Sequence, residues 1–263
     1  MTNHTPLTTV LNAGVLTLSI NDAPWNRMGF AYMDALEAAL EQAATDPAVR
    51  VLLFTAEGED NFSVGMDLKQ VLREGAARGG WDAVLDQRQR VLEKIETLHK
   101  PSIATLFGHC LGGGLELPLA CHFRLAASEG AKIGLPEMEL GTMPAWGGTA
   151  RLSRCIGRDR ALDMILRARK IDGIEALHFG LVSAVHPLAQ LKEAALTLAR
   201  ELAAMPPLAV AGVLRCVVGG TDLPLPEALA EERRAFLRCA ASADQAEGMQ
   251  AFLEKRKPVF NGR

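Results

Sequence analysis

The spacing of apolar positions changes repeatedly along the first half of the chain. From Val15 to Ile20 apolar and polar residues alternate, the period of a strand. Asn21-Asp22-Ala23-Pro24 ends that run as a turn. From Met33 the apolar residues Leu36, Leu40 and Ala43 fall at helical spacing, with Asp34, Glu37 and Glu41 on other faces. Asp46-Pro47 stops that helix. Val49 to Thr55 is short and almost continuously apolar, which predicts a strand covered on both faces. Glu57 to Phe62 is polar and turn-rich. Trp81 to Leu98 returns to a helical period, with Val84, Val91, Ile95 and Leu98 on one side. Lys100-Pro101 breaks it, and Ser102 to Phe107 predicts the next strand. His122 to Ala127 predicts another, beyond a glycine-rich stretch. Past Gly148 the pattern is almost wholly helical: Thr149 to Cys155, Ala161 to Leu166, Gln190 to Leu202, Leu208 to Val218 and Glu227 to Cys239. Strands that alternate with helices, then helices alone, predict an α/β core with a helical C-terminal region. No fixed-period repeat is visible, so an ordinary solenoid is not expected.

Composition narrows the function classes. The 263 residues, 49% hydrophobic, suffice for one large domain or one domain with a small appendage. A net charge of −3 offers no basic excess for nucleic acid, and 5% aromatics offer few stacking platforms. The five cysteines, Cys110, Cys121, Cys155, Cys216 and Cys239, form no C-x-x-C pair and read as reduced, buried thiols. Met1 to Pro6 lacks a leader pattern and no apolar run is long enough to span a bilayer. The expectation is a cytoplasmic protein without membrane or nucleic-acid partners.

Four segments carry candidate chemistry. In Phe62-Ser63-Val64-Gly65-Met66-Asp67-Leu68-Lys69, Gly65 permits a tight turn after a buried strand, and Asp67 suits a helix start. Gly112-Gly113-Gly114 lies between a strand and a helix, where backbone N–H groups meet an anion or a helix packs closely on a strand. No Gly-Lys-Ser/Thr follows, which rejects a nucleotide P-loop. Glu116 precedes Leu117-Pro118-Leu119-Ala120, an apolar setting that raises a carboxyl pKa toward acid/base use. Glu137 and Glu139 share a face if their segment is extended and separate if it is helical. The last segment is Trp146-Gly147-Gly148-Thr149-Ala150-Arg151, a glycine pair before a helix. The histidines His99, His109, His122, His178 and His186 show no metal-ligand spacing, and no Gly-x-Ser-x-Gly elbow is present.

In order, these segments resemble the crotonase family, the enoyl-CoA hydratases and isomerases. The similarity runs through Phe62 to Lys69, Lys100-Pro101, Gly108 to Glu116, Leu135 to Leu152 and Glu247 to Pro258. It implies a crotonase-like spiral of repeated β-β-α turns over residues 1–200. It also implies a helical C-terminal oligomerisation region over residues 201–263, building a homotrimer or homohexamer. The resemblance assigns the N–H groups of Met66 and Gly113 to the thioester oxygen of an acyl-CoA. It places Met66, Asp67 and Leu68 along the adenine and pantetheine, Lys69 and Lys255 at the CoA phosphates and Phe252 at the adenine ring, some of these from a neighbouring subunit.

Hydratases of that family carry two glutamates at the positions matched by Glu116 and Glu137. The resemblance therefore implies addition of water to a 2-enoyl-CoA, with one carboxylate as base and one carboxyl as acid. No metal or separate cofactor is implied, since coenzyme A belongs to the substrate and two N–H groups meet the developing charge. An isomerase, another acyl-CoA hydrolase, lyase or decarboxylase, and a non-catalytic CoA-binding subunit are the alternatives. Three places depart from the family pattern: Ala145-Trp146 replaces a frequent Gly-Ala, Met66 replaces a frequent alanine, and Trp25 lies near the expected CoA contacts. Bulk at Trp146 and Met66 bears on the shape of the acyl pocket.

Overall fold

The computed structural model describes residues 5–262, so Met1 to His4, on which the reading of the N-terminus partly rests, lie outside the described residues. A hairpin comes first: β1 (Leu7–Asn12) and β2 (Val15–Ile20) pair antiparallel across Ala13 and Gly14, both at positive φ. That backbone suits a two-residue hairpin turn. β1 was not expected from the sequence. It is an edge strand with only Leu7 buried, so little constrains its pattern.

Helix α1 (Phe30–Thr45) leads to β3 (Val51–Ala56), an inner strand paired in parallel on both edges and buried at every position, its apolar side chains packed into the core. Next come α2 (Leu68–Glu74) and α3 (Gly80–Thr97). β4 (Ser102–Leu106), β5 (His109–Leu111) and α4 (Gly113–Ala120) form the following unit. β6 (Phe123–Ala127) and β7 (Lys132–Gly134) precede a single 3-10 turn at Glu137–Leu140 and α5 (Gly148–Ile156). The remainder is α6 (Arg158–Leu166), α7 (Gly173–Phe179), β8 (Ala184–His186), α8 (Leu188–Ala203), α9 (Pro207–Val218), α10 (Leu225–Ala240) and α11 (Ala243–Glu254).

The main sheet runs β1-β2-β3-β4-β6-β8 and is parallel after the hairpin. β5 and β7 pair in a smaller sheet, which Ser63 joins by a bridge to Cys110. Each turn thus has one plan: a strand in the main sheet, a short strand or bridge in the second, then helix. This is the spiral of β-β-α turns that the resemblance implies. The connections differ in length, which hides the repeat from a fixed-period reading. One core joins the sheet to α1, α3, α4, α5 and α8. Among the described residues no single helix is long and apolar enough to cross a membrane.

Candidate active site

The first wall is the chain from Ser63 to Leu68. Ser63 is buried; its hydroxyl donates to the Asn26 carbonyl (2.7 Å) and accepts the Gly65 N–H (3.0 Å). Asn26 Nδ2 in turn donates to the carbonyls of Asn61 (2.7 Å) and Glu57 (3.0 Å), and Met28 N–H donates to the Gly65 carbonyl (2.8 Å). Gly65 has φ +89°, and a Cβ there would lie 2.7 Å from the Leu111 carbonyl oxygen and 3.1 Å from Gly113 N. Only glycine fits both the backbone and this approach. The turn is thereby pressed against the start of α4. Asp67 caps α2, its carboxylate accepting the Gln70 N–H (3.0 Å).

The second wall is the start of α4. Gly113 is its first residue, so its N–H has no intrahelical acceptor. Among the described residues the Met66 N–H likewise has no protein acceptor. Both residues line one cavity of about 590 Å³. Trp146 packs on Gly113 so closely that a methyl on Gly113 would stand 2.8 Å from the indole Cη2. The bulk noted in the sequence is therefore matched by a glycine.

Glu116 lies in the first turn of the fully buried α4 and is 2% exposed. One oxygen, Oε1, accepts the N–H groups of Trp146 and Gly148, each at 2.8 Å. Burial pushes its pKa up to about 7; the charge of Glu137 adds to the rise, and the two N–H donors oppose it. The donor loop is itself anchored: Arg151 Nη1 donates to the Trp146 carbonyl (3.0 Å), and its other edge grips Glu96 (2.8 and 3.0 Å). Glu137 faces the same cavity from the 3-10 turn, its Oε1 beside Gly112 and its Oε2 buried without a partner. Burial raises its pKa too. Glu139 turns away and pairs with Lys170. The helical alternative for that segment holds, and it separates the two carboxylates.

The structure thus brings Met66, Gly113, Glu116, Glu137 and Trp146 around one cavity, with Leu68 on its rim. Lys69 is exposed on α2. Phe252, 83% exposed, and Lys255, the C-cap of α11, do not line this cavity. Leu72, Trp81 and Leu85 line it without having been singled out in the sequence. The signal for them was thin, since Leu72 sits on a seven-residue helix and Trp81 and Leu85 lie off the buried stripe of α3.

A profile of the enoyl-CoA hydratase/isomerase family matches residues 11–263. A probable enoyl-CoA hydratase of Bacillus subtilis (strain 168) is 39% identical over 251 residues, covering 94% of this chain and 95% of the relative. The 2,3-dehydroadipyl-CoA hydratase of Escherichia coli (strain K12) is 37% identical over 250 residues, covering 95% and 96%. The crystal structure of an enoyl-CoA hydratase from Bacillus anthracis superposes with a TM-score of 0.92 at 34% identity, covering 98% of this chain and 100% of that one.

Proposed function

The chain belongs to the enoyl-CoA hydratase/isomerase family, and from that membership we propose that it adds water across the C2=C3 bond of a 2-enoyl-CoA. The observation that carries this reading is the pair Glu116 and Glu137 on one cavity with the amides of Met66 and Gly113. Two carboxyl groups are what hydration needs in addition to an oxyanion site.

The roles follow from the local bonding. Glu116 accepts two N–H groups on Oε1, which hold back the rise that burial gives its pKa and leave Oε2 free to serve as the base. Glu137 has a buried oxygen without a donor, which favours the protonated form and makes it the acid. Glu116 takes a proton from water as the water oxygen bonds to C3. The π electrons move onto the thioester oxygen, where the Met66 and Gly113 N–H groups meet the charge. Glu137 then gives its proton to C2. Coenzyme A enters as part of the substrate, and the step uses no further cofactor.

The test is loss of the conjugated thioester absorbance of crotonyl-CoA. Glu116→Gln and Glu137→Gln should each lower kcat by roughly 10²–10⁴-fold while CoA product binding persists. A parent protein inert toward every enoyl-CoA, with both variants indistinguishable from it, would sink the proposal. Isomerisation is the second reading, favoured by the indole that Trp146 places against Gly113. Product analysis with a 3-enoyl-CoA separates the two. The Escherichia coli relative is named for a dehydroadipyl thioester, so family membership leaves the acyl group open.

A further inference from the structure

The buried stripe of α3 runs Val84, Arg88, Val91, Ile95, the spacing of a helix face turned to a core. An arginine therefore occupies a core position. It is 0% exposed. Its Nη1 bonds the neighbouring Gln87 side chain, whereas Nε and Nη2 are buried with no partner. Buried arginines are nearly always paired, because an unpaired cation away from water is costly. The nearby carboxylates are already engaged. Asp34 binds Arg78 (2.9 and 3.2 Å) and Gln87 (2.8 Å), and Glu37 binds Arg90 and Lys94. Desolvation lowers the guanidinium pKa to about 10, so it stays charged at neutral pH.

The position of this cation gives it a use. Its guanidinium carbon lies over both the Phe30 ring (5.2 Å to the centroid) and the Trp146 ring (5.7 Å). Trp146 is a wall of the acyl cavity, and Met66, another wall, packs against the cluster that holds Phe30. Arg88 thus stands one side chain behind the cavity, on the face of α3 adjoining the cavity-lining Leu85. The two free donors are also a matched set. Nε and Nη2 form one edge of the guanidinium, the edge that grips a carboxylate with two parallel hydrogen bonds. Two aromatic rings lie near the guanidinium carbon and that edge carries no hydrogen bond.

Resting on the hydratase reading, we propose that Arg88 receives a carboxylate at the far end of the acyl chain, so that the substrate is the 2-enoyl-CoA of a dicarboxylic acid. Trp146, which touches Gly113 and underlies the guanidinium, is then the partition that a charged acyl end passes and an uncharged one does not need to move.

Two measurements test this. In the first, kcat/KM is compared for 2-enoyl-CoAs of equal chain length with and without a terminal carboxylate. The parent should favour the carboxylate by at least ~10-fold, and Arg88→Met should collapse that ratio by a similar factor. Arg88→Lys should keep part of it, retaining charge but not the two-donor edge. In the second, calorimetry compares glutaryl-CoA with pentanoyl-CoA, which requires no turnover. Tighter binding of glutaryl-CoA by the parent, lost in Arg88→Met, supports the proposal even if nothing is hydrated, an outcome that would sink only the hydratase reading. Equal affinity in the parent, or an undiminished preference in Arg88→Met, overturns the proposal while leaving hydration of crotonyl-CoA to be judged separately. If Arg88→Met fails to fold, Arg88→Gln and the parent's own preference serve the same comparison.

Discussion

At the scale of single residues, the base role proposed for Glu116 would couple catalysis to stability. In the native state it holds its proton up to about pH 7, whereas its ordinary value is 4.5. Between those values the folded chain binds more protons than the unfolded one, so stability falls as pH rises through that window. The loss approaches about 3 kcal/mol above pH 7. Glu116→Gln keeps an oxygen for the Trp146 and Gly148 N–H groups and removes the titration. The variant should therefore be more stable than the parent in denaturant at pH 8, with the advantage gone at pH 4. The same group sets a limb of the rate profile. If Glu116 is the base, as proposed, it must lose its proton, so kcat/KM should climb with pH through about 7 and the climb should vanish in the residual activity of Glu116→Gln. A profile that falls through that range instead would exchange the roles of the two glutamates. Glu116 was legible in the sequence because Leu117-Pro118-Leu119-Ala120 signals burial around a carboxylate. Arg88 was not, although Val84 and Val91 bracket it at core spacing. An arginine at a helix position reads as a solvated residue until the packing around Phe30 and Trp146 is known.

At the scale of elements, the site depends on two chain starts pressed together. Asp67 caps α2 directly after the Met66 amide. Asp67→Ala should cost about 0.5–2 kcal/mol of stability. It should also lower kcat/KM, because the amide loses the helix start that holds it; denaturation and steady-state kinetics read the two effects. The contact between Gly113 and Trp146 gives a sharper test. Gly113→Ala forces a methyl into the indole, with an overpacking penalty of about 1–3 kcal/mol and loss of turnover. Trp146→Leu in the same chain should restore most of the stability, a coupling that a double-mutant cycle measures. Helices with a clear apolar stripe, α3 above all, were legible within a residue or two. β5, β7 and β8 were not, because three residues carry too little pattern to distinguish a strand from a loop. The fate of Glu137 and Glu139 turned on whether one short segment was extended or helical, which local sequence left open.

At the scale of the whole molecule, the C-terminal helices carry apolar surface that this chain does not cover. No residue of α9 is buried and only Ala235 of α10 is. Leu225, Leu229 and Phe236 form one exposed stripe on α10, and Phe252 and Leu253 stand out on α11. Isolated exposed apolar residues are ordinary, but a stripe on adjacent helices marks an association surface. The resemblance implies a trimer or hexamer, which sedimentation would read as three or six times 28.2 kDa. Phe236→Glu with Leu229→Glu should shift the protein toward monomer by placing charge on that stripe. The consequence for the site follows from where Phe252 and Lys255 lie. Both are exposed and neither lines the cavity of its own chain, so we propose that the CoA contacts the resemblance assigns them are made in a neighbouring copy. Dissociation should then raise KM for an acyl-CoA substrate at least as strongly as it lowers kcat, because Glu116, Glu137 and the two amides all belong to one chain. Phe252→Ala and Lys255→Ala should reproduce the rise in KM without changing the sedimenting mass. A monomeric variant with unaltered KM would remove these two residues from the binding site and leave the apolar stripe with no part in catalysis.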